Sequence, residues 1–128
     1  MVKPKEYPFP QCPAEYDYRL FPNDLEDDDL VFFHGTARGN LLGILEKGFK
    51  IPENLPSISF ARNSNLALKY ACDKRCNSSL DGVVIAVQFD CIDEPYIKKE
   101  SFGLHVGNFD HHPQILGYCV VPSSYSFF

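Results

Sequence analysis

The stretch FFHGT, residues 32–36, decides how the rest of the chain is read. Val31-Phe32-Phe33 has the character of a buried strand, and it runs directly into an imidazole, a glycine and a hydroxyl with no polar residue between. A histidine closing a buried strand sits where a core meets a cleft, and a glycine right after it lets a ligand approach the backbone closely. The stretch therefore predicts a strand over Leu30 to Phe33 and a binding site at its end.

Downstream, Leu41, Leu42, Ile44, Leu45 and Phe49 recur at helical spacing from Asn40, and Gly48 supplies a C-terminal stop. A strand, an HGT turn and a short helix thus follow one another. Pro52 and Pro56 bracket a loop, after which Ser57-Ile58-Ser59-Phe60-Ala61 alternates as a strand does. Asn63 or Ser64 can cap a second helix with Leu66, Ala67, Tyr70 and Ala71 on one side, fading near Asn77. Asp81-Gly82 is a turn signal, and Val83 to Phe89, dominated by β-branched residues, is the clearest strand of all. Residues 95–110 mix glycine, lysine, aspartate and aromatics without a period, which predicts a loop or weak strand. Ile115 to Val121, between Pro113 and Pro122, reads as a final strand.

A chain of 128 residues, 45% apolar and 14% aromatic, has enough material for one domain with a real core. Its net charge of -5 argues against a general affinity for nucleic acid or anionic membrane, which needs a surplus of Lys and Arg. No apolar run approaches the about 18 residues of a membrane span, and no charged-then-apolar leader is visible, so a cytoplasmic or nuclear location without membrane contact is expected. The five cysteines are odd in number and irregularly spaced, as in a reducing compartment. Cys72 and Cys76, taken with His111 and His112, match no familiar zinc spacing, and no metal is expected.

Residues 1–29 differ from 30–128. Five of the ten prolines fall there, interleaved with Tyr7, Phe9, Tyr16, Tyr18 and Phe21, which suggests an arm laying its rings on the domain, or else a partly ordered tail. Glu26 to Asp29 reads as a solvated acidic turn.

FHGT at 33–36, ILEKGF at 44–49, SISFARNSNLALKYA at 57–71 and DGVVIAVQFD at 81–90 together resemble the catalytic domain of the diphtheria-toxin-like ADP-ribosyltransferases, the group that contains the poly- and mono-ADP-ribose polymerases. The resemblance spans about residues 30–121. It implies an α+β fold of two small, mainly antiparallel sheets forming a split β-core, with NAD in the cleft, in a reduced single-domain form. It further implies that His34 holds a ribose hydroxyl of NAD, that the backbone of Gly35 pairs with the nicotinamide carboxamide, and that Thr36 assists. In the family's second motif a tyrosine stacks on nicotinamide. Here Ser59 takes its place before Phe60-Ala61, with Ser64 nearby and a later tyrosine kept as Tyr70, eleven residues on. The family's third motif is a glutamate opening the last strand, and alignment of residues 113–122 puts Gln114 there. An amide can orient a ribose hydroxyl but cannot stabilise an oxocarbenium ion by charge, so the resemblance implies mono-ADP-ribosyl transfer to a protein or small-molecule acceptor rather than chain elongation. Glu94 and Glu100 could bring a charge from the loop.

Two alternatives remain open at this point. HGTAR at 34–38 and the serine of the second strand are also similar to the RNA 2′-phosphotransferases, which use NAD and would need arginines for phosphate, with Arg38, Arg62 and Arg75 as candidates. The substitutions at Ser59 and Gln114 fit a module that binds NAD or ADP-ribose without turning it over.

Overall fold

The computed structural model describes residues 4–74 and 80–125. Seven strands form a single hydrogen-bonded sheet: β1 (Lys5–Glu6), β2 (Val31–Ala37), β3 (Ile58–Ala61), β4 (Gly82–Gln88), β5 (Ile97–Glu100), β6 (Gly103–Val106) and β7 (Gln114–Val121). Their order is β1-β7-β4-β2-β3-β6-β5, and every pairing is antiparallel except β1 with β7. The helices are short: α1 (Asn23–Glu26), α2 (Leu41–Lys47) and α3 (Ser64–Lys74). The protein is thus α+β, with few helices. Among the described residues no helix is long and apolar enough to cross a membrane.

The central strand β4 has Gly82 through Val87 buried, because both faces of the sheet are covered there. Strands of this kind read as continuous apolar runs rather than as alternation. On one face, Val31, Phe33, Val84, Ala86, Cys119 and Val121 pack with Ala67, Leu68 and Ala71 of α3 and with Leu20 and Phe21 of the arm. On the other, Phe32, Phe60, Val83, Ile85, Val87, Leu104 and Val106 pack with Leu41 and Phe49 from α2 and the turn after it. Gly48, at φ 79, ends α2 in the left-handed region that glycine tolerates best.

Three sequence expectations change, and a fourth, the loop or weak strand over 95–110, becomes specific. The HGT segment is not a turn: β2 runs on to Ala37, paired residue by residue with β4 from Val31↔Gln88 to Ala37↔Gly82. Residues 95–110 contain a hairpin, β5 and β6, whose outer strand is an exposed edge carrying Lys98, Lys99 and Glu100. Charged edges of this kind carry no apolar period while still blocking further pairing. The expected two separate sheets are one sheet, since β2 and β3 share the pair Phe33↔Ala61. Glu26 is buried at 4% exposure rather than solvated, accepting from Leu20 N at 3.2 Å, from Phe21 N at 3.1 Å and from the Ser64 hydroxyl.

That buried carboxylate ties the arm to the start of α3. The arm also adds β1 to the sheet edge, and its rings pack inward: Phe21 stacks on Phe33 at 5.4 Å, and Tyr7 meets Phe21 edge-on at 5.2 Å.

Candidate functional site

Between β2 and β3 the ladder stops after one pair. Which backbone groups this leaves facing the gap follows from strand alternation. The N–H and C=O of one residue point the same way, and its neighbours' point the opposite way. Leu30 O accepts from Phe89 N and Arg38 N donates to Asp81 O, so even-numbered residues of β2 address β4. Val31 O accepts from Arg62 Nη1 at 3.0 Å, so odd-numbered residues address β3. Phe33 uses its groups on Ala61. Gly35, two residues on, directs both its amide and its carbonyl into the gap, opposite Ser59.

His34 spans that gap on one face. Its Nδ1 lies 2.9 Å from Ser59 O, and its ring sits edge-on to Phe49 at 5.3 Å and 5.5 Å from Phe60. Burial pushes its pKa below 6.5; the bond to the Ser59 carbonyl opposes this and the charge of Lys74 adds to it. At neutral pH the ring is therefore uncharged. A carbonyl can only accept, so Nδ1 carries the proton and Nε2 keeps a lone pair with which to accept a hydrogen bond.

Helix α3 closes the other face. A Cβ built on Gly35 would fall 2.0 Å from Ala67 O and 2.8 Å from Ala71 N, so only glycine lets the helix sit this low. The turn of α3 lying over Gly35 also carries Tyr70. Leu68 is fully buried in the cluster with Leu20, Phe21 and Val121, whereas Tyr70 stands about 200° around the helix from it, on the flank toward β3. Tyr70 is 46% exposed.

The expected residues separate into two groups. His34, Gly35 and Ser59 come together around the gap, and Tyr70 is carried by the helix that lies over Gly35. Phe60 and Ala61 are core, at 2% and 5% exposure, and support its floor. Thr36 is buried on β2, its hydroxyl accepting from Asn40 Nδ2 at 3.0 Å. Ser64 has 0% exposure and its hydroxyl is committed to Glu26, so it has no surface to offer a ligand. Gln114 stands at the far end of the sheet, in register with Gln88 and Val31. That is about 10 Å along the strand direction from His34 and two strands across, too far to share a ribose with it. The β7 residue in register with His34, through Ile85, is Tyr118, whose hydroxyl lies 3.5 Å from Glu6 Oε1.

Of the candidate arginines, the two among the described residues are engaged elsewhere. Arg62 donates to Asp28 O and Val31 O, both at 3.0 Å, pairs with Asp29 at 3.3 Å and covers the Phe32 ring. Arg38 pairs with Asp81 at 3.5 Å, and Arg75 lies outside the described residues, as does Cys76. Glu100 pairs with Lys98 at 3.4 Å. Glu94 lines a cavity of about 220 Å³ with Cys91, Tyr96, His111 and His112, and none of His34, Gly35, Ser59 and Tyr70 lines it. A larger hollow, about 440 Å³, lies on the arm between Tyr16 and Asn23. Among the described residues no three His, Cys, Asp or Glu side chains gather so as to hold a metal ion.

One neighbour of the gap escaped the sequence reading. His105, on β6, is in register with Ser59, and its Nδ1 lies 3.0 Å from the Ser59 hydroxyl. The available signal was its place between Leu104 and Val106, which alternation sends to the opposite face from both. Comparison of the chain with protein-family models, with curated proteins and with solved structures finds no match to any of them.

Proposed function

We propose that the chain is an NAD-dependent mono-ADP-ribosyltransferase that binds nicotinamide in the gap between β2 and β3. The observation that carries this is the free backbone edge of Gly35. A primary carboxamide presents one acceptor oxygen and two N–H donors, and the amide and carbonyl of a single residue, pointing the same way, match it as another strand would. Stacking needs an exposed ring close by, which Tyr70 supplies. The neutral, Nδ1-protonated state of His34 leaves Nε2 to accept from a ribose hydroxyl. Once held in this way, NAD loses nicotinamide through an oxocarbenium-like ribose, beside the Phe49 and Phe60 rings that pack on His34.

The RNA 2′-phosphotransferase alternative is disfavoured by Arg62, whose guanidinium is consumed by two backbone carbonyls and a carboxylate. The non-catalytic module remains a distinct outcome, because Gln114 is remote and no carboxylate described here lies at the gap. Incubation with NAD while following nicotinamide release, beside calorimetric binding, separates the outcomes. Release and binding that His34→Ala abolishes support the transferase. Binding without release supports the module, and absence of both refutes the assignment of the gap.

A further inference from the structure

Ser59 is held from two sides. His34 Nδ1 bonds its carbonyl at 2.9 Å, and His105 Nδ1 lies 3.0 Å from its hydroxyl. Phe60, Leu104 and Val106 point into the cluster shared with Phe49, so Ser59 and His105 project on the opposite face, the one on which α3 packs. Ser59 is exposed there and faces Gly35 across the gap. Lys98, in register with His105 on β5, is drawn away to Glu100 at 3.4 Å and does not compete for the serine.

A hydroxyl within hydrogen-bond distance of an imidazole is the minimal activated nucleophile. Both members here stand on paired strands rather than loops, which fixes their mutual geometry before any ligand arrives.

We propose that Ser59 is the acceptor: the chain transfers ADP-ribose to its own Ser59 hydroxyl, with His105 as general base. This rests on the assignment of the gap as the nicotinamide site. The bond between C1′ of the ribose and the pyridinium nitrogen breaks, and its electron pair stays on nitrogen, releasing neutral nicotinamide. A bond forms between Ser59 Oγ and C1′. The hydroxyl proton passes to His105 Nδ1 and leaves to water from the imidazolium. NAD and serine thus become nicotinamide, O-linked ADP-ribose and one proton, with no other reactant.

The test is incubation of the full chain with NAD labelled in its adenosine half, followed by intact mass, peptide mapping and measurement of released nicotinamide. One ADP-ribose per chain on Ser59 is expected. Ser59→Ala should lose the label while nicotinamide release continues slowly with water as acceptor. His105→Gln, which still offers Ser59 a hydrogen bond, should slow modification by about 100-fold or more while the calorimetric affinity for NAD holds. Both side chains lie at the surface, so melting curves should confirm that the variants fold. Label at another residue, or nicotinamide release without label, overturns the proposal and leaves the transferase assignment intact. Neither release nor NAD binding overturns both.

Discussion

Replacing Gly35 by alanine tests the seat of the whole site. The new methyl would fall 2.0 Å from Ala67 O, and ordinary contact begins near 3.4 Å, so α3 would have to lift by about 1.4 Å. The clash is with backbone on both sides, since Gly35 is locked in register with Val84 and Ala67 lies mid-helix. No rotamer change relieves it. Lifting the helix separates Ala67, Leu68 and Ala71 from Val31, Phe33 and Val84, and a gap of even 1 Å forfeits up to about half of each dispersion contact. The cost should reach the upper end of the overpacking range, about 3 kcal/mol, out of a total stability of about 5–15 kcal/mol. For a domain of this size that is a fall in Tm of roughly 10–15 °C. Calorimetric melting measures it, with Gly43→Ala as control. Gly43 lies in α2 with nothing within 4 Å of its would-be Cβ, so alanine there should stabilise by up to about 1 kcal/mol. The folded fraction of Gly35→Ala should also bind NAD more weakly, because the lifted turn carries Tyr70 away from the gap. A Gly35→Ala protein that melts within about 2 °C of the parent would refute the placement of α3 on β2.

Glu26→Ala leaves Phe21 N and the Ser64 hydroxyl without their buried acceptor, while Leu20 N keeps only its 3.1 Å bond to Ser64 Oγ, and should cost about 2–5 kcal/mol in urea unfolding. A double-mutant cycle with Ser64→Ala should return a coupling of about 0.5–3 kcal/mol, and additive effects would count against the bond. Since the folded-state pKa of His34 lies below 6.5, its contribution to stability is fully present above 6.5 and is lost as pH falls from there toward the lowered value. Stability measured from pH 8 to 5 should therefore fall more for the parent than for His34→Gln, and parallel profiles would contradict a buried neutral imidazole. In hydrogen exchange, the Gly35 amide should exchange faster than that of Phe33 and gain protection on addition of nicotinamide; strong protection without ligand would show that it is already bonded. Tyr70→Ala should weaken NAD binding by about 0.5–1.5 kcal/mol beyond lost contact area, read by calorimetry.

The parts legible in the sequence are those where a local rule coincides with the tertiary environment. Val83 to Val87 is β-branched because it is covered on both faces, and Gly48 sits after a periodic apolar run because the chain must turn through positive φ there. The β5–β6 hairpin was hidden because Ile97 is the sole buried residue of its edge strand. Helix α3 shows the limit of periodicity: Leu66, Ala67, Tyr70 and Ala71 and the alternative set Ala67, Leu68 and Ala71 are both acceptable faces, and only contact with Gly35 decides for the second. Glu26 looked like one of four consecutive acids, since nothing local announces that Leu20, Phe21 and Ser64 converge on it. Motif spacing singles out His34, Gly35, Ser59 and Tyr70, whereas the place of His105 and the remoteness of Gln114 are set by register, a long-range quantity that the sequence leaves implicit.

Backbone accounting explains why the opening lies at Gly35 and not elsewhere along the joint. Where a ladder is interrupted, each N–H and C=O it leaves must find another partner or water. On one side of Phe33↔Ala61, the guanidinium of Arg62 takes up Val31 O and Asp28 O, and Arg62 N itself bonds Phe102 O at 2.7 Å, so that end is sealed. On the other side, Ser59 O is taken by His34. Two side chains thus replace the missing rungs, and each belongs to a residue that directly adjoins the pair Phe33↔Ala61 in the chain. Gly35 is the next residue along, and its amide and carbonyl face Ser59 across the gap without forming a ladder pair with it. A donor and an acceptor on one strand edge, beside an exposed aromatic and a neutral imidazole, form a half-completed ladder whose missing half has the shape of a planar amide.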